Sequence, residues 1–408
     1  MKCIYKEYFS RNPLAKGNYF LENRMRSQDL ATALLELQQQ HRFRQRHIVE
    51  TPQSCEVIIE GKSYIAFASN DYLGLANHPA LIAAMQEALL RWGVGGGASH
   101  LVAGHFAIHE EAEQALAAFC GSEAALLFSS GYAANQAVIT SLVGRGDAVF
   151  ADKLNHASLN DACLLSRATF RRFRHNDLQQ LEQLLASTPA RTRLIAVDAV
   201  YSMDGDEAPL KKLQELADKY DAWLYIDDAH GFGVLGDGRG SAVEQGLHQE
   251  RLIYMATLGK AAGVSGAFVG ASSQLIAWLV NTARSYIFTT AQPPALAAAV
   301  LASLQLIADE PWRRERLQQS VSLVRERLAE VNFPLMASRT PIQPIIIGRN
   351  EQALLLAAQL KERGFWVPAI RPPTVPEGTA RLRLTLSAAH TQDQLEGLLD
   401  GVVEAMQP

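Results

Sequence analysis

The sequence predicts an α/β fold, with a mostly parallel central sheet, helices on both faces, and a smaller C-terminal α+β domain. Between about residues 108 and 272, apolar runs of strand length alternate with runs that have helical periodicity. Strands separated by helical crossovers pair in parallel. After about residue 291 this alternation gives way to long helices followed by a few strands, which indicates a second unit.

Length and composition agree with a protein of this class. The chain has 408 residues, 48% of them hydrophobic, so it can bury a sizeable core. A formal net charge of −4 argues against nucleic acid as a partner. The four cysteines form no CxxC pair, which predicts reduced thiols and no metal site. The first residues hold no run long enough for a signal peptide or membrane span, so we expect a cytoplasmic protein without a membrane partner.

Residues 1–69 are interpreted as an N-terminal extension that includes one helix and one hairpin. Apolar side chains recur at helical spacing over 29–37, whereas the residues before them show no period. Apolar runs at 55–59 and 64–67, with Gly61 between them, predict a short hairpin.

Residues 70–290 are interpreted as the large domain. Its strands are short apolar runs bounded by turn residues, predicted at 124–128, 147–151, 169–173, 193–200, 222–227, 252–257 and 266–271. Its helices are predicted at 79–92, at 108–119, from the turn at 129–135 to about 142, at 178–185 and at 210–220. The glycines at 93–97 either let a ligand approach the backbone or form a flexible connection.

Residues 291–408 are interpreted as a small domain that caps the first. A long Ala/Leu helix begins at Pro294. The elements predicted after it are a charged helix at about 311–330, a strand at 342–347, a helix at 351–363, strands at 365–370 and 381–386, and a helix at 392–406.

A carboxylate and a lysine follow two of the predicted strands. Asp227 ends the run 222–227, and Lys260 follows the run 252–257 in a glycine loop. The carboxyl ends of parallel strands open onto the ligand crevice of such a fold. Pyridoxal phosphate needs a lysine for its Schiff base and an acid that keeps its pyridine nitrogen protonated. The pair therefore predicts a pyridoxal phosphate site.

Other strand ends carry residues that suit the same cofactor. Gly131 and Tyr132 begin a helix, whose first amides can bind phosphate, and Thr257 could add a hydroxyl. His156 could stack on a flat ring or move protons, and Ser202 could bond a ring substituent. The alternatives are an ordinary capped helix start, a surface histidine and a turn serine.

The segment that follows Asp227 could contact one ring from two sides. His230 lies three residues after Asp227, and the small side chain of Ala229 between them leaves room for a ring. Alternatively, Asp227 caps the next element, although Asp228 could serve that role instead. For Lys260 the alternative is a solvated lysine; imine chemistry requires it to be partly neutral, which burial can arrange.

Taken in order, these motifs resemble those of the α-oxoamine synthases, which are fold-type I pyridoxal phosphate enzymes. The motifs are SGYAAN (130–135), NHASL (155–159), YSMDGD (201–206), IDDAHG (226–231) and TLGK (257–260). The likeness runs from about residue 28 to the end. The sequence departs from the family in its first 24 or so residues, which exceed what the family needs, and at Tyr132, where relatives often have phenylalanine.

The resemblance implies a role for each matching residue. Lys260 would carry the cofactor and later remove the α-proton, and Asp227 would pair with the pyridinium nitrogen. The other residues implied around the ring are His156 and Ala229 on its two faces and His230 and Ser202 at its phenolic oxygen. Those implied for the phosphate are Gly131, Tyr132, Thr257 and, reaching in from the second subunit of a homodimer, Thr289 or Thr290. Those implied for substrates are Asn70 and Arg383 for the amino-acid carboxylate, Arg44, Thr374 and Arg371 for the acyl group, and His156.

The resemblance also implies an acyltransferase that condenses an amino acid with an acyl thioester and releases carbon dioxide. Residues 69–75, 370–376 and 380–385 resemble the members that use L-alanine and a pimeloyl thioester, carried by coenzyme A or an acyl carrier protein. Glycine C-acetyltransferase is the alternative within the family. A non-catalytic regulatory module that binds pyridoxal phosphate is the alternative from another class.

Overall fold

The computed structural model describes residues 29–331, 333 and 335–406. The N-terminal extension before residue 29 lies outside the described residues. The strands of the described part are β1 (Glu56–Ile59), β2 (Lys62–Ala66), β3 (Ala124–Phe128), β4 (Ala148–Asp152), β5 (Thr169–Phe173), β6 (Arg193–Asp198), β7 (Ala222–Asp227), β8 (Leu252–Thr257), β9 (Ala267–Ala271), β10 (Ile342–Gly348), β11 (Phe365–Trp366), β12 (Ala369–Ile370) and β13 (Ala380–Thr385).

The central sheet has the strand order β3-β9-β8-β7-β6-β4-β5. The pairs β5–β4, β4–β6, β6–β7 and β7–β8 are parallel, and only β9 runs against its two neighbours. β9 follows β8 after the short segment 258–266, which cannot hold the helical crossover that a parallel pair needs. The predicted α/β fold with a mostly parallel sheet is confirmed.

Helices cover both faces of this sheet, and its inner strands are therefore buried on both sides. The α-helices of the described part are Leu30–Gln39, Pro79–Trp92, Ala107–Cys120, Gly131–Leu142, Ala157–Ser166, Leu178–Ser187, Leu210–Lys219, Ser241–Glu244, Ser273–Thr282, Arg284–Ile287, Pro294–Asp309, Trp312–Glu330, Asn350–Glu362 and Gln392–Met406. One apolar layer packs helices 131–142, 157–166 and 273–282 against the sheet. The opposite layer includes helices 107–120, 210–219 and 294–309.

Two smaller sheets lie outside the central one, and one of them joins the N-terminal hairpin to a C-terminal strand. β10, β13 and β12 form an antiparallel sheet, and β11 adds in parallel to the β1–β2 hairpin. The single strand predicted at 365–370 is wrong, because the structure divides it into β11 and β12, which lie in different sheets. Pro368 lies between them, and a proline cannot donate a ladder hydrogen bond within a continuous strand.

The glycines at 93–97 lead into a short π-helix, His100–Gly104, which was not predicted. A Cβ on Gly96 would lie 2.7 Å from the carbonyl oxygen of Ala291, so this glycine allows close backbone packing. The amide of Ala291 in turn donates to the carbonyl of Ala98 at 2.9 Å. The glycine segment therefore rests on the residues just before helix Pro294–Asp309.

Among the described residues, none of the helices combines the length and the apolar character needed to cross a bilayer.

Cys55, Cys120 and Cys163 are buried and free, as the absence of paired cysteine motifs predicted. Burial raises the pKa of Cys55 and of Cys163 to about 12 in each case, so these thiols stay protonated at neutral pH. They contribute to the core and not to the chemistry.

Candidate active site

Asp227 ends β7 at the carboxyl edge of the sheet and is buried. Its Oδ2 accepts a hydrogen bond from Asn135 Nδ2 at 2.9 Å, and its Oδ1 accepts one from the amide of Ala229 at 3.1 Å. The hydroxyl of Tyr225 donates to Asn135 Oδ1 at 2.5 Å, which orients the amide so that its NH₂ faces the carboxylate. Asn135 and the amide of Ala229 therefore fix the orientation of the Asp227 side chain.

Asp228, and not Asp227, takes the alternative role of capping the next element. Its carboxylate accepts hydrogen bonds from the amide and hydroxyl of Ser241 at 2.7 and 2.6 Å, and from the hydroxyl of Tyr254 at 2.8 Å. Ser241 begins helix Ser241–Glu244. Asp228 therefore fastens the polypeptide behind the strand end, and Asp227 remains directed towards the crevice.

Lys260 and His230 meet at the same edge of the sheet. The Nζ of Lys260 lies 2.9 Å from Nε2 of His230, whose Nδ1 lies 2.6 Å from the hydroxyl oxygen of Tyr72. Burial lowers the pKa of Lys260 to about 8, although Asp227 acts in the opposite direction. Burial and the positive charge of Lys260 hold the pKa of His230 well below its usual value. His230 is therefore neutral, and Lys260 is a partly neutral amine at physiological pH.

A buried arginine continues this network towards the small domain. Tyr72 donates from its hydroxyl to Asn70 Oδ1 at 3.2 Å, and the same oxygen accepts from Arg383 at 3.2 and 3.3 Å. Arg383 is 5% exposed, and its Nε donates to the carbonyl of Ser202 at 2.6 Å. Within the part of the chain that the structure describes, Arg383 forms no ion pair. A buried guanidinium without a carboxylate is a site for an anionic group of a ligand.

His156 precedes helix Ala157–Ser166 and caps it. Its Nδ1 accepts from the amide of Ser158 at 3.3 Å and lies 2.7 Å from the Ser158 hydroxyl, which also accepts from Asn135 Nδ2 at 2.7 Å. The amide of His156 donates to Asp198 Oδ2 at 2.9 Å. Desolvation lowers the pKa of His156, so the imidazole is neutral at pH 7. The ring is held by its own turn and connects through Ser158 and Asn135 to Asp227.

The turn predicted for phosphate opens helix Gly131–Leu142. Ser130 caps this helix by accepting from the amide of Ala133 at 3.1 Å, and the amides of the first turn have no partner within the helix. A Cβ built on Gly131 would lie 4.0 Å from Cβ of Thr257, so the turn and this threonine are neighbours. Thr257 donates to the carbonyl of Gly266 at 2.9 Å. The hydroxyl of Tyr132 is directed elsewhere, to Asp161 at 2.6 Å.

The residues predicted for the acyl group lie close to one another. Arg44 Nη2 donates to Thr374 Oγ1 at 2.9 Å, and Arg371 Nη1 donates to the carbonyl of His41 at 2.5 Å. Burial, and then the positive charge of Arg44, lower the pKa of Arg371. Two neighbouring guanidinium groups attract an anion.

Thr289 and Thr290 were also predicted for the site, but within the described part of the single chain they form no hydrogen bond to this network. They lie on a segment where Thr290 and Phe288 are exposed, between helices Arg284–Ile287 and Pro294–Asp309. The following Gln292 bonds the carbonyl of Phe128. Their role at the site of a second subunit stays a prediction.

Several residues of the site were not found from the sequence. Asn135, Tyr72, Ser158 and Asp198 each hold a predicted residue in place. Asn135 offered a signal, since an amide on the buried face of an apolar helix needs a polar partner.

Three histidines also meet near Gln292. His100 Nδ1 lies 2.9 Å from His105 Nδ1, and one ring nitrogen of each of these and of His109 lies within 4.8 Å of the others. Both nitrogens of His109 already have partners, the amide of Phe106 at 3.1 Å and the carbonyl of Gln292 at 3.0 Å. His109 therefore fastens the Gln292 segment to helix Ala107–Cys120.

Pyridoxal phosphate fits this arrangement. A half-buried lysine with a lowered pKa, a buried carboxyl group with donors on both oxygens, and a helix start with free amides lie at one edge of one sheet. These are the groups that its aldehyde, its pyridine nitrogen and its phosphate require. A nucleotide-binding α/β protein would need neither the lysine nor the acid at these positions.

Comparison with known proteins assigns the class. Residues 62–402 match the family model described as aminotransferase class I and II, and the chain belongs to this family, whose cofactor is pyridoxal phosphate. A solved serine palmitoyltransferase with its pyridoxal phosphate is 34% identical and superposes with a TM-score of 0.85, over 88% of this chain and 92% of that one. The predicted fold-type I architecture and cofactor are confirmed.

The curated relatives carry one name. A protein of Chromobacterium violaceum is 66% identical over 92% of this chain and 98% of its own length, and one of Nitrosomonas europaea is 57% identical over 91% and 97%. Both are named 8-amino-7-oxononanoate synthase. A solved protein of that name from Francisella tularensis is 31% identical, with a TM-score of 0.74 over 84% of this chain and 97% of that chain. The predicted resemblance to the α-oxoamine synthases is confirmed.

Proposed function

We propose that this chain is an 8-amino-7-oxononanoate synthase, which condenses L-alanine with a pimeloyl thioester in biotin biosynthesis. The products are 8-amino-7-oxononanoate, carbon dioxide and the free thiol. The observation that carries the proposal is the continuous network from Lys260 through His230, Tyr72 and Asn70 to Arg383. The network joins the reactive amine of Lys260 to the buried guanidinium of Arg383, which has no carboxylate partner in the described chain. An amino-acid substrate requires both groups, because it forms an imine and carries a carboxylate.

Arg383 and Asn70 are assigned to the carboxylate of L-alanine. Arg383 is buried, held by Ser202 and Asn70, and can offer paired N–H donors to a planar carboxylate. Lys260 is assigned as the base that removes the α-proton, because an amine with a pKa of about 8 can both accept and return a proton near neutral pH. Neutral His230 beside Lys260 can accept a hydrogen bond from its ammonium group.

The cofactor, when bound, supplies an electron sink that lowers the cost of forming a carbanion at the α-carbon. Asp227, which accepts hydrogen bonds from Asn135 and Ala229, is assigned to hold the proton on the pyridine nitrogen. His156 and Ala229 are assigned to the two faces of the ring, and Ser202 and His230 to its phenolic oxygen. The first amides of helix Gly131–Leu142 (those of Gly131 and Tyr132), with Thr257, are assigned to the phosphate.

Two arginines near the site favour a pimeloyl group over an acetyl group as the acyl substrate. A new bond joins the α-carbon of alanine to the thioester carbonyl carbon, the thiol leaves, and the carboxylate departs as carbon dioxide. A pimeloyl chain ends in a second carboxylate, whereas an acetyl group has none. Arg44 and Arg371, with Thr374 beside Arg44, offer an anion site that suits the second carboxylate of a pimeloyl chain.

We also propose a homodimer in which Thr289 or Thr290 reaches the phosphate of the second subunit. Large apolar side chains are exposed on the single chain: Phe288, next to Thr289, is 71% exposed, Val102 80% and Leu90 92%. Exposed apolar surface of this kind is usually covered by a partner.

A cytoplasmic location completes the proposal. It is supported by the free buried cysteines, since oxidising compartments favour disulfides.

An assay of carbon dioxide release by the purified protein with pyridoxal phosphate tests this function. L-alanine, glycine and L-serine are each combined with pimeloyl-CoA, a pimeloyl carrier protein and acetyl-CoA. We expect turnover with alanine and a pimeloyl thioester, and the two pimeloyl donors distinguish coenzyme A from a carrier protein. Turnover restricted to glycine and acetyl-CoA would assign the chain to glycine C-acetyltransferase instead, and cofactor binding without any turnover would indicate a regulatory module.

A further inference from the structure

Asp198 and Asp227 are buried carboxyl groups at the ends of adjacent parallel strands. β6 ends at Asp198 and β7 ends at Asp227, and the two residues are direct partners in the register of the sheet. Asp198 is 4% exposed and Asp227 is 6% exposed. Two like charges this close in a buried site disfavour each other strongly, so one of the two carboxyl groups binds a proton.

The hydrogen bonds show which carboxyl group is ionised. Both oxygens of Asp227 accept hydrogen bonds, from Asn135 and Ala229. Only Oδ2 of Asp198 has a donor, the amide of His156, while Oδ1 is buried and has no partner within the described part of the chain. An unpartnered oxygen is much less costly on a neutral acid than on a carboxylate. The charge therefore belongs to Asp227 and the proton to Asp198.

The surroundings of Asp198 agree with this assignment. The hydroxyl of the nearby Tyr201 is also buried without a partner in the described chain. Burial first, and then the charge of Asp227, hold the pKa of Asp198 well above its usual value. The titratable groups that act on it from the packed elements are Asp227, Lys260, Asp152 and Tyr201, and its own hydrogen-bond partner is the amide of His156.

Asp198 also fixes the turn that carries His156. Its carboxyl group accepts from the amide of His156 at 2.9 Å, and its own amide donates to Asn155 Oδ1 at 3.1 Å. Asn155 Nδ2 in turn donates to the carbonyl of Ala196 at 2.7 Å. Residues 155 and 156 are thus attached to β6 by three hydrogen bonds, of which the side chain of Asp198 provides one.

We propose that Asp198 is a positioning residue that acts as a neutral acid: it anchors the His156 turn and leaves Asp227 as the carboxylate that pairs with the pyridine nitrogen of the cofactor. This inference deepens the proposed function but rests on its cofactor site alone, not on the choice of substrate. Its test therefore needs no turnover, and failure of the substrate assignment would leave it intact.

The first test compares the thermal unfolding of the wild type and Asp198→Asn from pH 5 to pH 8, with the exposed Asp393→Asn as control. The unfolded Asp198 ionises near pH 4, whereas the folded one stays protonated to higher pH. The wild type therefore loses stability relative to the asparagine variant as pH rises through this window. Between pH 5 and pH 8, the unfolding temperature of Asp198→Asn minus that of the wild type should increase by about 2 °C or more. A difference independent of pH, as in the control, would overturn the neutral-acid assignment.

The second test titrates the cofactor-free full chain with pyridoxal phosphate and follows visible absorbance. Asparagine can still accept the hydrogen bond of the His156 amide, so Asp198→Asn should bind within about threefold of the wild type. Asp198→Ala removes the acceptor and should weaken binding by about tenfold. Equal losses in both variants would show that charge is needed at this position, and wild-type affinity in Asp198→Ala would remove the positioning role. If Asp198→Ala does not fold, the asparagine variant and its pH dependence still decide the proposal.

Discussion

The amine of Lys260 lies 2.9 Å from Nε2 of His230 at the carboxyl edge of the central sheet, where His230 is buried and Lys260 is half-buried. Two basic groups at this distance disfavour each other's positive charge. Burial and the positive charge of Lys260 therefore keep the imidazole neutral, while burial lowers the pKa of the amine to about 8. The lysine gains the nucleophilic character that a solvated lysine lacks at neutral pH.

The pH dependence of cofactor uptake follows from the lowered pKa of Lys260. The neutral amine is the reactive form, and its fraction rises as pH increases through about 8. We expect the second-order rate constant for uptake of pyridoxal phosphate by the cofactor-free chain to rise about tenfold per pH unit below pH 7.5 and to level off above pH 9. Stopped-flow absorbance measures this rate constant at each pH. A rate that keeps rising to pH 10 would indicate an ordinary solvated lysine.

Replacement of Lys260 by alanine should abolish both the covalent attachment of the cofactor and catalysis. The residue is assigned as the attachment point and as the base, so the turnover number should fall by about 10³-fold or more. Lys219→Ala is the matched control, because Lys219 is an exposed lysine paired with Glu182. Full turnover in the Lys260 variant would remove this residue from the mechanism.

Asp227 and Asp228 are adjacent in sequence but should behave differently on replacement. Asp227→Ala should weaken pyridoxal phosphate binding by about 10- to 100-fold, because a charge-assisted contact to the ring is lost. Asp228→Ala should lower the free energy of unfolding by roughly 2–4 kcal/mol, because three buried donors from Ser241 and Tyr254 lose their acceptor. Absorbance titration and urea unfolding measure the two effects. The reverse pattern would exchange the two roles.

Arg44 should govern the affinity for the acyl substrate and not the rate with alanine. Arg44→Ala removes one of two neighbouring guanidinium groups and the partner of Thr374. We expect the KM for pimeloyl-CoA to rise about tenfold while the KM for L-alanine changes little. Arg46→Ala, an exposed arginine on the same segment, is the control. An equal rise in both substrate constants would place Arg44 elsewhere in the site.

The residues that could be predicted from the sequence are those at strand ends. Asp227 and Lys260 follow apolar runs, and parallel topology brings the ends of such runs to one edge of the sheet. The sequence could not show that Tyr72 lies against His230, because 158 positions separate them and no local pattern encodes the contact. The amide of Asn135 reaches Asp227 across 92 positions, with the same consequence.

Two further details required the folded chain. The sequence left open whether Asp227 or Asp228 is the cap, and the hydrogen bonds of Ser241 and Tyr254 decide it. The predicted strand at 365–370 is divided because its two halves pair with different neighbours, β2 and β13. Pairing choices of this kind depend on tertiary packing, which hydrophobic periodicity does not report.

The most direct test of the account is the location of the cofactor on the chain. The protein loaded with pyridoxal phosphate is treated with borohydride, which reduces the imine to a stable amine, and its peptides are identified by mass spectrometry. The account predicts that the phosphopyridoxyl group is found on Lys260, in the peptide that follows β8, and that Lys260→Ala carries none. Stable attachment to another lysine, or equal labelling of several surface lysines, would contradict it.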